Sequence, residues 1–579
     1  MAAIIEKIFG APGTGKTFNL IKRISSHLDD KENPSLFENT LTVTFTKVAA
    51  REIRNRIGYN RSFTQKELEK NVRTIHSYIM ERIRGEDKDI CYADDFMKIF
   101  FGVKKDSEID DRRRWEFISI YNIIDDARIQ KGEGIENILS FYDRQKGLNY
   151  QRSMASRTDI IRVAESYANY KKNYFKMDWT DVLYKGLEDK YIFNPIDVLM
   201  LDEAQDCNRL EWLVINKLIG VAKYVYIAGD DDQAIYRFKG GEVETFLKLA
   251  AETETVLDKS PRLNKKVHAF SQSVISLISS ERRKPKIFTP TNPRGGNIRQ
   301  FKNKSSIEKN LIDRTILHYD VTTPIQWLFL ARTYTVLDNH YAGENYSWSN
   351  ILVKNNMTWE KVPQKTRFSN GMGGTVPNVY PGQINAIDTW LGLQKGKRFN
   401  GEQVRSFFKE VPPHFFRERK RTSLLKKGSI IIVDKSITYD YQDLKSKFYF
   451  DVERERPWWE ILILEPRDPG LYGDYAQYLK NIVNNGNYKR SKEILFSTIH
   501  SAKGLEASNV VLNTDWTYKP YNTYRESLTG RDDELRVFYV GTTRTKNNLY
   551  LYVPDFSWGE YKGNRHNNFL DSIKRAQQI

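Results

Sequence analysis

Residues 10–17 read GAPGTGKT, directly after the apolar run IIEKIF at 4–9. A helical period through Phe18, Leu20, Ile21 and Ile24 follows. Strand, glycine-rich loop and helix in that order fit G-x-x-x-x-G-K-[ST] in the setting where the pattern wraps phosphates. The loop from Gly10 through Ala11, Pro12, Gly13, Thr14 and Gly15 offers backbone N–H groups at a helix N-terminus. Lys16 is placed to reach the β and γ phosphates of a nucleotide, and the Thr17 hydroxyl to hold Mg²⁺.

Outward from this loop, LTVTF at 41–45, DVLMLD at 197–202 and KYVYIAGD at 223–230 are strand-like, each followed by a helical or turn segment. That alternation predicts a parallel α/β sheet. DEAQD at 202–206 closes an apolar strand. Two acidic residues there match a site in which Asp202 holds Mg²⁺ and Glu203 polarises an attacking water. Residues from about 80 to 176 are charged, helix-patterned and dotted with aromatics, which predicts an all-helical insertion. A second α/β region opens near residue 261, contains IQWLFLAR at 325–332, EILFST at 493–498 and LYLYVP at 549–554, and is interrupted between about 381 and 490.

The chain has 579 residues, 40% of them hydrophobic, which at roughly 100 to 200 residues per domain predicts three or four domains. Lys and Arg number 91 against 74 Asp and Glu, for a formal charge of +17 and a pI near 9.3. Such a balance suits a polyanionic partner and leaves DNA, RNA and an anionic membrane open. The start, MAAIIEKIFG, has no basic segment leading into an apolar core, and no run of about 18 uncharged apolar residues occurs, so a cytoplasmic protein is expected. Cys91 and Cys207 are too few for a disulfide framework or a thiolate zinc site and read as packing residues.

Further segments stand in a telling order: TFTKVAAREI (44–53), TIHSY (74–78), MDWTDVL (177–183), AGDDDQAIYRFKGG (228–241), LDKSPRLNKKV (257–267), STIHSAKGLE (497–506) and DELRVFYVGTTRTK (533–546). With the phosphate loop and DEAQD, this series resembles the superfamily 1 helicases of the UvrD, Rep and PcrA type over most of the chain. The resemblance implies two RecA-like lobes with parallel sheets and ATP in the cleft between them. Lobe 1A would span 1–80 and 177–260, a helical insertion 1B 81–176, lobe 2A 261–380 and 491–579, and a smaller insertion 2B 381–490. It also implies that Gln233 senses the γ-phosphate and connects it to Tyr236 and Phe238. Arg262 and Arg544 would stabilise transition-state charge, and Glu506 would accept from the ribose hydroxyl, with Lys503 and Gly504 beside it facing the other lobe.

For the bound strand, Phe45, Trp179, Tyr236 and Phe238 are candidate stacking rings, which grip any base without reading sequence. Thr46 lies in the first strand-contacting motif, and Thr74, His76, Thr498 and His500 are candidate phosphate contacts. The basic run KEVPPHFFRERKRTSLLKK at 409–427 carries Arg417, Arg419, Lys420, Arg421, Lys426 and Lys427. It reads as a solvated helix face or a duplex-binding surface, and the family's Gly-Ile-Gly hairpin signature is missing from it. Two adenine-reading elements usual in the family are also missing. Gly10 is too near the start for the upstream glutamine motif, and Pro261 stands where a tyrosine would precede the arginine.

The function expected is an ATP- and Mg²⁺-dependent single-stranded DNA translocase and helicase, 3′ to 5′, serving repair or replication. It would act on single strands and junctions, as a monomer in isolation, with replication or repair proteins as possible partners. The alternatives are a translocase that strips proteins or remodels RNA without unwinding duplex, and a nucleotide-switched binding subunit. A fused nuclease is not expected, since the residues after Lys546 hold no carboxylate cluster of that kind.

Overall fold

The computed structural model describes residues 3–302 apart from 33, 60, 84–88, 106–107, 148–154 and 189–192, then 323–333, 348–362, 376–377, 381–410, 437–447 and 485–553, with isolated positions elsewhere. The first sheet consists of β1 (Ile4–Gly10), β2 (Thr40–Thr44), β3 (Val72–Thr74), β4 (Ile196–Asp202), β5 (Ala222–Gly229) and β6 (Thr253–Leu257). Their order is β3-β2-β4-β5-β1-β6 and every pairing is parallel. β4 is apolar on both faces, as a central parallel strand must be. Leu199 and Leu201 pack with Phe9, Val43 and Ile227, while Val198 and Met200 pack with Ile8, Leu20 and Ile24. In register, Phe9 faces Gly229 and Thr44 faces Asp202. The chain therefore leaves β1, β2, β4 and β5 at one edge, where ligands of open α/β sheets bind.

Helices α1 (Lys16–Leu28), α2 (Lys47–Tyr59) and α3 (Ile75–Arg82) follow β1, β2 and β3. On α1 the buried face is Lys16, Leu20 and Ile24. Phe18, counted among the apolar positions of that helix, is instead 63% exposed. It lies two residues from Leu20, about 200° around the helix, and so faces away from the sheet.

The insertion carries α4 (Ala93–Phe101), α5 (Asp111–Lys131), α6 (Ile135–Gly147) and α7 (Arg157–Asn173), with its own core around Phe96, Phe117, Tyr121, Ile124 and Tyr167. It is not wholly helical. Asp89–Ile90 pairs in parallel with Lys176–Met177 where the chain enters and leaves. After it come α8 (Trp179–Leu187) and α9 (Arg209–Ile219). Asp178 caps α8 and accepts from Arg128 (2.7 Å), Lys171 (2.9 Å) and Tyr167 (2.9 Å) of the insertion. This buried network holds the start of α8, and with it Trp179, against the insertion.

The second sheet orders β7 (Ile298–Phe301), β8 (Trp327–Ala331), β9 (Glu360–Lys361), β10 (Val376–Pro377), β11 (Ile494–Thr498), β12 (Ala507–Asn513) and β13 (Thr545–Tyr552) as β7-β13-β12-β8-β11-β9-β10. It is parallel except for the β9–β10 edge. Helices α10 (Lys265–Ile275) and α11 (Leu528–Thr542) bury Val267, Val274, Leu535 and Phe538 in its main core. Helices Pro381–Gln394 and Gly401–Glu410 stack Trp390 on Phe407. Arg417, Arg419, Lys420, Arg421, Lys426 and Lys427 lie outside the described residues. Both cysteines are buried and unpaired. Among the described residues no helix is long and apolar enough to cross a membrane.

Candidate nucleotide and strand sites between the lobes

The phosphate loop turns tightly at the end of β1. Gly13 has φ +76°, and a Cβ there would lie 2.5 Å from Cβ of Arg262. Only glycine admits this conformation while the 260–262 segment packs so closely. Thr14 bonds back to Ala11 O through both its N–H (3.2 Å) and its hydroxyl (2.8 Å). The Lys16 ammonium donates to Gly10 O at 2.8 Å.

Three strand ends converge beside this loop. The Thr17 hydroxyl donates to Asp202 at 2.7 Å. Burial and the adjacent Glu203 charge push the Asp202 carboxyl upward. Glu203 adopts a left-handed backbone, φ +59°, an uncommon state for a non-glycine that clusters at functional sites. Burial raises its carboxyl, but Lys503, Lys16 and a hydrogen bond from Gln205 outweigh this and hold it well below the usual range. Gln205 links two motifs, donating to Glu203 (2.5 Å) and accepting from Asp230 N–H (2.9 Å).

The second lobe closes on this edge. Arg544, 1% exposed, donates to Gln233 Oε1 at 2.8 Å, while Gln233 Nε2 donates to Asp230 at 2.6 Å. Lys503 donates to Asp206 (2.5 Å) and Gln233 O (2.8 Å), 3.6 Å from Glu203. Glu506 pairs with Arg262 (2.8 Å) and Lys546 (2.6 Å). Burial and the neighbouring Arg262 draw the Arg544 guanidinium down to about 9, so it remains a cation at neutral pH.

Residues 6–254 match the UvrD/REP helicase N-terminal domain, and residues 475–554 match the UvrD-like helicase C-terminal domain. The chain belongs to the UvrD/Rep helicase family. Among curated relatives, a probable DNA helicase II homolog of Mycoplasma genitalium is 23% identical over 99% of this chain and 86% of its own length. One from Rickettsia conorii is 23% identical over 94% and 89%. The ATP-dependent DNA helicase PcrA of Bacillus subtilis is 23% identical over 51% of this chain and 40% of its own.

On this UvrD/Rep-type scaffold the candidate strand residues fall into two groups. Phe45 stacks on Tyr236 (5.6 Å), Tyr236 neighbours Phe238 (6.3 Å), and Phe238 meets the edge of His500 (5.1 Å). Phe238 is 58% exposed. Tyr236 is less available, because its hydroxyl donates to His500 O at 2.9 Å and Lys503 lies over its ring. Trp179, 38% exposed, meets His76 edge-on at 5.7 Å.

The four candidate phosphate contacts are locally engaged. Thr74 caps α3 through Ser77 N–H, and Thr498 bonds with Ser501. Thr46 accepts from Ala49 N–H at the start of α2. Burial lowers His76 to about 4 and holds His500 well below the usual imidazole range, so at neutral pH each offers a neutral imidazole rather than a cation. Gln205 and Asp206 escaped the motif reading, although both sit inside DEAQD. Their polarity in a fully buried turn was the available signal.

Proposed function

We infer that this ATP-dependent DNA helicase moves 3′ to 5′ along single-stranded DNA, coupling closure of its two lobes on ATP to strand advance and duplex unwinding. The polarity rests on the resemblance to the family, and the coupling on Gln233. It bonds Arg544 of the second lobe, receives Lys503 on its carbonyl, and stands three residues before Tyr236 on the loop that ends at the exposed Phe238. Its side chain sits in the cleft, and its backbone runs on into the loop that carries Tyr236 and Phe238.

In the mechanism, the loop N–H groups, Lys16 and Arg262 bind the triphosphate and Glu506 orients the ribose. Glu203, held ionised by Lys503 and Lys16, takes a proton from the attacking water. Arg544 and Gln233 bind charge that develops on the γ-phosphoryl group. A hydroxyl and a buried carboxylate 2.7 Å apart, Thr17 and Asp202, fit Mg²⁺, which uses one or two protein oxygens plus substrate phosphates. Held there, the ion would supply positive charge to neutralise the triphosphate. ATPase and unwinding assays on 3′-tailed, 5′-tailed and blunt DNA, with matching RNA, test the reading. Unwinding only of 5′-tailed substrates would reverse the polarity.

Phe238→Ala is expected to remove about 1 to 3 kcal/mol of base stacking and to raise the ATP consumed per nucleotide travelled, with hydrolysis persisting. Translocation measured against ATP consumption checks this, and an unchanged ratio counts against a stacking role.

Base selectivity is expected to be weak. Pro261 offers no ring beside Arg262. A bidentate polar contact discriminates by about 1 to 3 kcal/mol. We propose that no such contact is made to the base here, so that GTP or CTP supports DNA-stimulated hydrolysis within about tenfold of ATP in kcat/KM. Steady-state kinetics with four ribonucleotides decide it, and an ATP preference above about a hundredfold over both sinks the idea.

A further inference from the structure

Asp230, Asp231 and Asp232 are each no more than 1% exposed. Three consecutive carboxylates out of water are tolerated only with close counter-charge. That charge comes from a single short segment of the second lobe. Lys286 Nζ lies 3.2 Å from Asp230, 2.6 Å from Asp231 and 2.9 Å from Asp232. Arg283 grips Asp232 with two bonds of 2.7 and 2.6 Å, and Lys284 N–H donates to Asp231 at 2.8 Å.

The segment is anchored on its other side as well. Ile278 and Phe288, which flank it, are buried in the second lobe's core. Arg282 pairs twice with Asp532 of α11, and Arg536 of α11 donates to Arg282 O. Displacement of the second lobe is therefore transmitted to the Lys286 ammonium, which sits in the first lobe's acidic turn.

From that ammonium a short relay runs to the cleft. Asp230 takes Lys286 on Oδ1 and Gln233 Nε2 on Oδ2 (2.6 Å). With its N–H₂ committed to Asp230, the Gln233 amide presents its oxygen to Arg544. The geometry points to the Lys286–Asp230 pair as the positioning device for Gln233: a second-lobe cation that fixes the orientation of the amide and so tunes hydrolysis to lobe movement. This rests on the reading of Gln233 as γ-phosphate sensor. Lys286 and Asp230 are positioning residues, acting on substrate only through Gln233.

The test uses the full chain with saturating single-stranded DNA and measures kcat and KM for ATP, with thermal melts to establish folding. Lys286→Met leaves three carboxylates facing one guanidinium, so Asp230→Ala is made beside it, cutting the relay while leaving two carboxylates against two cations. Each folded variant is expected to lower kcat at least about tenfold with KM changed less than about threefold. Adding Gln233→Ala to either should cost less than about twofold more, because the residues act as one unit. A parental kcat in folded Asp230→Ala, or losses that multiply with Gln233→Ala, overturns the relay. A parental kcat in Gln233→Ala alone overturns the sensor reading beneath it, so the two failures are distinguishable.

Discussion

Lys16→Ala is expected to abolish ATP hydrolysis while single-strand affinity stays close to parental. Lys16 opens α1 and its ammonium reaches back over the loop to Gly10 O. Alanine is a strong helix former, and the turn is held independently by Thr14 on Ala11, so the loop should persist. What disappears is the one loop cation facing the transferred phosphate, and with it a charge that lowers both Asp202 and Glu203. Without it both carboxyls rise. Asp202 then spends more time protonated, which weakens its hold on a cation. The strand platform of Phe45, Tyr236, Phe238 and His500 is built by other contacts. Steady-state ATPase with oligo-dT and fluorescence anisotropy of the labelled strand check both halves. Hydrolysis near the parental rate would refute the assignment.

Arg544→Ala is expected to lower the DNA-stimulated kcat by about a thousandfold or more, the range of arginine fingers, with a much smaller effect on KM. The guanidinium is buried, bonded to Val540 O at 3.0 Å and to Gln233 Oε1 at 2.8 Å, so its direction is set before nucleotide arrives. Its neighbour Arg262 is a second cation close enough to draw its pKa down. Charge building on the γ-phosphoryl oxygens relieves that repulsion, an interaction stronger in the transition state than in the ground state. Arg544→Lys keeps the charge but loses the planar fork and should recover only part of the rate. Single-turnover kinetics beside nucleotide binding measure the split. Equal losses in affinity and turnover would remove the transition-state role.

Strands β1, β2, β4 and β5 of the first sheet were legible because their information is local; β3 and β6 were not named from the sequence. An apolar run such as DVLMLD, buried on both faces, admits little besides a central parallel strand, and Gly13 with Gly15 mark the phosphate turn. Lys16, Asp202 and Glu203 were named from residue types at strand ends, Gln233 and Arg544 only from the resemblance to the helicase family. Phe18 belongs to the helix that the period marks but faces away from the sheet, since the sheet covers only one face of it. The seam between the lobes was legible only through the resemblance, which set Lys503 in a loop facing the other lobe without naming its partner. Lys503 reaches Asp206 across 297 positions and Lys286 reaches Asp231 across 55. Nothing local distinguishes Lys286 from the other cations of a chain holding 91 Lys and Arg. The sequence by itself determined which segments become strands, loops and phosphate contacts, because backbone geometry and apolar periodicity act over a few residues. Only the tertiary structure decided which cations meet which buried carboxylates, because ion pairing depends on distance in space and on exclusion of water, and neither is written in spacing along the chain.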